Sequence, residues 1–446
     1  MKPGSRELKV PANIIVIIVS FFLFASSLFA NAYLSSGYTQ PVFNTPINLS
    51  NDSGRAQFPD VVNVGIHVYA AWTEGSRGIF FRASSNGGST WAPPLSSSAL
   101  RISPTGGTTQ YPVMSANGSD VYVAWSQTVG TTGLQVFEAT STNYGLSFTA
   151  GQVTSGTSSN GFITPVVASW GSNVYIVYSG NGKNSYVVSS NNYGATWRAP
   201  YRYAVTFEPE VAVMGSNAYA VADGIQFAVT HNAGASWTQV LTQRYNGDEP
   251  MIAVSGTHVY IVAQSRTANG HIWLISSSNN GNSFGARKVV SGSVPNDWAP
   301  MVGAYGNSVW AAWHNNPGGS ASQEWVTTST NTGSSWSAPL SIGGTGHWVG
   351  WPFQVSTTDG KNVFIVWPQQ VTSSPNYWVV RASYSGDGGA TWSAPPGISV
   401  SQNSNGQAAP ENDIANAAIS TYGSRAFAVW QFISTSGTNQ IYFTSS

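Results

Sequence analysis

Residues 59–91 read PDVVNVGIHVYAAWTEGSRGIFFRASSNGGSTW, and three features of that stretch return along the rest of the chain. A proline stands upstream of a glycine, an apolar-aromatic run begins three residues after the glycine, and a polar turn closed by an aromatic residue follows. The glycines are Gly65, Gly118, Gly171, Gly215, Gly256, Gly306, Gly360 and Gly423, and the runs after them are VYAAW, VYVAW, VYIVY, AYAVA, VYIVA, VWAAW, VFIVW and AFAVW. Pro59, Pro112, Pro165, Pro209, Pro250, Pro300 and Pro352 precede seven of the glycines, whereas the eighth repeat, around Asn412 and Asp413, has no such proline. Strand-type units returning every 40 to 60 residues or so indicate a β-propeller or a related array of small sheets.

The polar turns occur as SSNGGSTW at Ser84 to Trp91, STNYGLSF at Ser141 to Phe148, SNNYGATW at Ser190 to Trp197 and THNAGASW at Thr230 to Trp237. Three more are SSNNGNSF at Ser277 to Phe284, STNTGSSW at Ser329 to Trp336 and SGDGGATW at Ser385 to Trp392. The pattern resembles the Asp box, or BNR repeat, of the sialidase superfamily. Six copies place Asn86, Asn143, Asn192, Asn232, Asn279 or Asn331 where the family pattern has Asp, and only Asp387 keeps the acid. The chemistry required here is conformational: Ser, Thr, Asn and Asp close the turn through side-chain hydrogen bonds, and Gly supplies positive φ. The closing ring (Trp91, Phe148, Trp197, Trp237, Phe284, Trp336, Trp392) buries apolar area worth about 2–3 kcal/mol. A structural role is therefore expected of every box.

Each unit reads as four strands, but only seven boxes lead into a fourth. FNTPINLS at Phe43 to Ser50 resembles the segments after the boxes, such as WSAPLSIG, and so supplies the missing strand. The expected fold is all-β: an eight-bladed propeller of four-stranded blades over residues 43–446, closed by pairing of the N- and C-terminal strands so that no long edge stays open. Residues 33–42 form a linker. Catalytic sialidases resemble six-bladed rings, so the blade number points away from them. Relatives built on the same box with other blade numbers include sortilin-type receptors, some glycosidases and a photosystem assembly factor.

Lys2, Arg6 and Lys9 precede the apolar stretch IIVIIVSFFLFA and a small-residue Ala30-Asn31-Ala32 end, the layout of a secretory signal peptide or an N-terminal membrane anchor over 1–32. A secreted or cell-surface protein is expected, touching membrane only through that segment. With charged residues at 8% there is no basic patch to bind nucleic acid. Absent cysteine excludes disulfides, leaving stability to sheet packing and ring closure. A monomer is expected.

In this strand order the boxes share one face, and the starts of the first strands share the other with the loops between second and third strands. Asp60, Glu208, Glu210, Asp248, Glu249, Asp297, Glu411 and Asp413 fall on that second face, as do Glu74, Asp223 and Glu324. Neighbouring carboxylates such as Asp248 or Glu249 against Asp297 or Glu208 are candidate acid/base pairs, with Arg244 and Arg266 as candidate cations. Tyr245 and Trp298, with His347, Trp348 and Trp351 inside GHWVGWPF, are candidate ligand contacts, since flat rings beside acceptors suit a sugar. The family's catalytic site has three arginines holding a carboxylate, a Tyr nucleophile polarised by a Glu, and an Asp as acid/base. The FRIP-type segment that carries its first arginine is absent here, and FRAS at Phe81 to Ser84 and LRIS at Leu100 to Ser103 do not replace it. Arg82 and Arg381 occupy equivalent positions before two boxes, which indicates a structural job. No cofactor is expected and no zinc spacing is present; calcium would have only the acid-rich rim and no loop motif. These readings favour a non-catalytic propeller binding an extracellular glycan or a surface protein, with a sialidase-type glycoside hydrolase or a lyase as the alternative.

Overall fold

A computed structural model describes residues 40–446 apart from 52–54, 131–132, 156–163, 181–183, 243–244, 268–269, 293–295, 317–321, 344–353, 374–375, 396–397, 401–413 and 434–437. Among the described residues the strands form eight antiparallel sheets of four. In chain order the innermost strands of blades 1 to 8 are Gln57–Val64, Thr109–Asn117, Val166–Trp170, Glu210–Met214, Gly247–Ser255, Asp297–Tyr305, Gln354–Ser356 and Ile414–Tyr422. Each packs against the next, and the last packs against the first, so the ring is closed.

Closure follows the expected route. Ile47 and Asn48 pair with Phe443 and Tyr442 as the outer strand of blade 8. The Leu49 N–H donates to Ile441 O at 2.7 Å, and the Asn44 N–H to Ser445 O at 2.9 Å. The signal or anchor segment 1–32 and the linker as far as residue 39 lie outside the described residues.

The unbroken apolar runs have a simple cause. In His67–Thr73, Val68, Ala70 and Trp72 enter the core shared with blade 8, while Tyr69 and Ala71 enter the core shared with blade 2. A strand buried on both faces cannot alternate apolar with polar residues.

The repeated proline marks a bulge. Phe58, Tyr111, Glu208, Glu249 and Ala299, each just before a proline, adopt φ between 50° and 54°. In blades 1, 2, 5 and 6 the pairing register shifts there, so the inner strand bends at the channel mouth. Blade 8 makes the same bulge at Asn416, φ 53°, with Ala417 in the place of proline. The eighth repeat is thus centred a few residues beyond Asn412 and Asp413, which themselves lie outside the described residues.

All seven polar turns share one hydrogen-bond pattern. In the first, the Gly88 N–H donates to Ser84 Oγ at 2.8 Å and the Thr90 N–H to Asn86 Oδ1 at 2.9 Å, while Asn86 Nδ2 donates to Thr90 Oγ1. In the Asp387 copy the hydroxyl reverses, Thr391 Oγ1 donating to Asp387 Oδ2 at 2.6 Å. The glycine at the fifth position of each turn lies against the preceding blade: a Cβ on Gly88 would meet Phe443 at 2.2 Å, and one on Gly145 would meet Phe81 at 2.7 Å.

Arg82 is fully buried. Its guanidinium donates to Leu49 O at 2.8 Å, Pro93 O, Pro94 O at 2.9 Å and Ser97 O at 2.7 Å, tying blade 1 to the closing segment.

Candidate functional site

Many rim acids serve as struts between blades. Asp60 Oδ2 accepts the Met114 N–H of blade 2 at 2.7 Å, and Glu249 Oε2 accepts the Ala299 N–H of blade 6 at 2.9 Å. Gln354 does the same for Ile419 at 2.8 Å, so the role needs an acceptor and not a charge. Burial, partly offset by these N–H groups, lifts Asp60 to about 6.

Between blades 4 and 5 the rim departs from that scheme. The loop joining the second and third strands of blade 4 contracts to a single 3-10 turn, Asp223–Ile225. The Asp223 N–H donates to Phe207 O at 3.1 Å and Thr206 Oγ1 donates to Asp223 O at 2.8 Å, which aims the Asp223 side chain at blade 5. There Asp223 Oδ1 accepts the Glu249 N–H at 3.1 Å. Glu208 comes from the blade 4 bulge and Asp248 from the start of the blade 5 inner strand. One carboxylate oxygen from each of Glu208, Asp223 and Asp248 lies within 4.8 Å of the others. Arg266 Nη2, from the loop after the second strand of blade 5, donates to Asp248 Oδ1 at 2.7 Å and to Asp223 Oδ2 at 3.2 Å.

The electrostatics of the cluster are divided. Burial and the neighbouring Glu208 and Asp248 carboxylates push Asp223 up to about 8. Burial and Asp248 also raise Glu208. At Asp248 burial acts in the same direction, but hydrogen bonds from Arg266 and Asp223 outweigh it and hold the group below its ordinary value. Near neutral pH the site therefore presents a carboxylic acid, a carboxylate and a guanidinium side by side. Phe207, 43% exposed, stands beside Glu208 as an apolar ring on the same rim. Calcium is a poor match for this donor set, because Arg266 already supplies the positive charge between two of the three carboxylates.

Of the residues singled out from sequence, Glu208, Asp248 and Arg266 meet here. Glu249 contributes its backbone and turns its carboxylate to blade 6. Asp297 is buried between blades 5 and 6, with Asn315 Nδ2 donating to it at 2.7 Å and His271 Nδ1 lying 3.7 Å away, beyond hydrogen-bond distance. Tyr245 lies against Trp273, centroids 5.6 Å apart, and Trp298 against His314 at 4.8 Å, so both rings pack within the ring of blades. Arg244, His347, Trp348 and Trp351 lie outside the described residues. Arg77 binds Glu74 at 2.6 Å on blade 1, four blades from Arg266, and the two arginines do not converge on one carboxylate. Reasoning from sequence placed Asp223 on the correct face without pairing it with Asp248. The signal lay in the loop Asp223-Gly224-Ile225, too short to turn away from the neighbouring blade.

A fully buried pair, His314 and Glu324, sits on facing strands of blade 6 with Nδ1 and Oε1 3.6 Å apart. Burial pushes Glu324 well up and His314 down to about 3, so both stay neutral.

No protein family matches the chain, and no curated protein does. Among solved structures it is similar to an ulvan lyase, at 10% identity over 82% of this chain and 98% of that one, with a TM-score of 0.49. It is similar to YCF48 bound to a D1 peptide, at 12% identity over 93% and 97% of the two chains, with a TM-score of 0.46. A Trypanosoma rangeli sialidase in complex with the inhibitor DANA is 10% identical over 78% of this chain and 56% of that one, with a TM-score of 0.43.

Proposed function

We propose that this chain is an exported, sialidase-like propeller that holds an extracellular glycan on the rim between blades 4 and 5 without cleaving it. The observation that carries the reading is the convergence of Glu208, Asp223, Asp248 and Arg266, with the exposed Phe207 next to Glu208 in the chain and bonded through its carbonyl to the Asp223 N–H. A sugar presents an apolar C–H face to such a ring and hydroxyl groups to such a mixture of donors and acceptors. Three carboxyl groups beside one guanidinium suit a neutral sugar better than a sialic acid carboxylate. The seven turns support the family reading through their likeness to the Asp box, and the leader over 1–32 supports export. Catalysis is disfavoured because Arg266 Nη2 bonds both Asp223 and Asp248, filling the gap in which a glycosidase must place the anomeric carbon.

A glycan array followed by calorimetry tests this. A bound neutral oligosaccharide should lose at least tenfold in affinity on Phe207→Ala and on Asp248→Asn. Trp348→Ala and Trp351→Ala form a second arm for the segment GHWVGWPF. Failure to bind any glycan removes the proposal. One observation favours a hydrolase instead: Asp223 and Asp248, with protonation behaviour pushed in opposite directions, resemble an acid and its partner base. Turnover of fluorogenic glycosides that disappears in Asp223→Asn would establish that reading.

A further inference from the structure

Three places before each box stands a residue of that blade's third strand, and Gly145, Gly194, Gly281 and Gly333 of the following boxes lie against Phe81, Glu138, Phe227 and Leu274 at this place. Phe81, Val187, Phe227, Leu274, Val326 and Ala382 hold this place in six blades. In blade 2 it is Glu138, buried at 4% exposure, and a Cβ on Gly194 of blade 3 would come within 3.1 Å of its Oε2. The seam forms a half-open groove of about 400 Å³ on the box face, lined by Glu138, Thr142, Phe148, Gln152, Tyr193 and Trp197 among others. The equivalent groove between blades 6 and 7, of about 370 Å³, has Val326 at the place of Glu138, paired with Leu340 where Glu138 pairs with Gly151. Groove shape is thus a product of the repeat, whereas its polar floor belongs to blade 2. A buried acid where sibling positions are apolar costs stability, and such a local departure calls for a compensating role.

We propose that the groove between blades 2 and 3 binds a primary ammonium group seated on Glu138. One Glu138 oxygen accepts from Thr140 Oγ1, which leaves Oε2 for a ligand. A guanidinium needs both oxygens for a bidentate pair, while an ammonium is a compact charge that needs one. Gln152, Phe148 and Trp197 line the same groove, which brings an amide and two aromatic side chains to a bound cation. No cation among the described residues pairs with Glu138. Tyr193 lines the same groove, and Glu138 acts with Asp120 and Tyr193 on the neighbouring Tyr122. Burial, opposed by Thr140, raises the Glu138 carboxyl to about 8, so near pH 7 the free site is protonated. Docking an ammonium ionises it, and the displaced proton passes to the buffer.

The full chain is titrated at pH 7 in phosphate and in HEPES with putrescine, glucosamine and Nα-acetyl-lysine amide, which separates simple amines, amino sugars and protein lysines as the source. Saturable binding that releases about one proton per chain is expected with at least one probe. Glu138→Val, matching Val326, should lower affinity at least tenfold, abolish proton release and raise the melting temperature. Glu138→Gln keeps the shape and should lose the same affinity, which covers a poorly folding valine variant. No binding by any amine, or equal binding by both variants, overturns the proposal. The site lies on the opposite face from Phe207 and Asp248, so its failure leaves the glycan reading untouched and the converse also holds.

Discussion

Replacing Arg82 by Met tests whether ring closure depends on a single buried guanidinium. Four carbonyls lose their donor, but not equally. Pro94 and Ser97 are exposed and can turn to water, whereas Leu49 is fully buried and Pro93 half-buried. Counting only those two, at about 1.5–3 kcal/mol for each hydrogen bond to a charged group, the loss is about 3–6 kcal/mol. Because Leu49 continues the closing strand, the damage should concentrate at the junction of blades 8 and 1. Urea denaturation measures the magnitude and limited proteolysis its location, with faster cleavage expected within residues 40–56. Arg82→Lys should recover part of the loss, since a lysine supplies charge and three donors without the fork. An unfolding free energy within about 1 kcal/mol of the parent protein, below even one such bond, would refute the reasoning.

Stability should fall as pH rises from about 4.5 to 8. Asp60, Glu138, Glu210 and Asp223 have folded-state values lifted to about 6, 8, 8 and 8, so the folded chain holds protons that the unfolded chain has released. Their favourable contribution is complete below the unfolded values and is lost through this window, while Asp248 and Asp359, held low, lose theirs only in stronger acid. Melting temperatures at pH 5 and pH 8 check the sign, and a higher value at pH 8 would contradict it. Gly88→Ala should be far more damaging than Gly65→Ala in thermal unfolding: both have positive φ, but the new Cβ meets Phe443 at 2.2 Å in one case and open space in the other. Expected costs are about 3 and about 1 kcal/mol, and equal costs would remove the packing explanation. Asn86→Asp should change stability by less than about 0.5 kcal/mol, because Thr90 can reverse its hydroxyl as Thr391 does, whereas Asn86→Ala should cost about 1–2 kcal/mol by leaving the Thr90 N–H without its acceptor.

The ring was legible because its signals are local and repeat. A glycine before VYAAW and a box after it each set a turn within a few residues, and the missing eighth fourth strand pointed to Phe43 to Ser50. The bulges were less visible: the proline was plain, but the positive φ of the residue before it runs against the usual extended preference there and arises from how inner strands meet at the channel. Site geometry was legible only to the level of a face. Asp248 and Glu249 are neighbours in sequence, yet one side chain meets Arg266 and the other Ala299, because successive residues of a strand point apart. That Tyr245 packs on Trp273 and Trp298 on His314 was not legible, because these partners are distant in the chain or on another strand. Glu138 carried a readable signal that was missed, since alignment of the seven boxes makes it the single acid at its position.

Repetition also supplies a control that a non-repeating fold lacks. Eight near-copies of one blade show which polar groups the architecture itself requires. Acceptors at Asp60, Glu249 and Gln354 take the N–H of the next blade, and box Ser, Thr, Asn and Asp close their own turns. Among the described residues, others stand outside those roles: Glu208, Asp223, Asp248 and Arg266 on one face, Glu138 on the other, and the buried Asp297 and His314–Glu324 groups of blade 6. Glu138 closes no turn and joins no inner strands, and burial opposes its ionisation as it opposes that of Asp223. Stability alone would have favoured an apolar residue at Glu138, as in the sibling seams, and an amide at Asp223, where only the Glu249 N–H needs an acceptor. Glu138 and Asp223 are thus two of the places, among the described residues, where an acid stands that the repeat does not require.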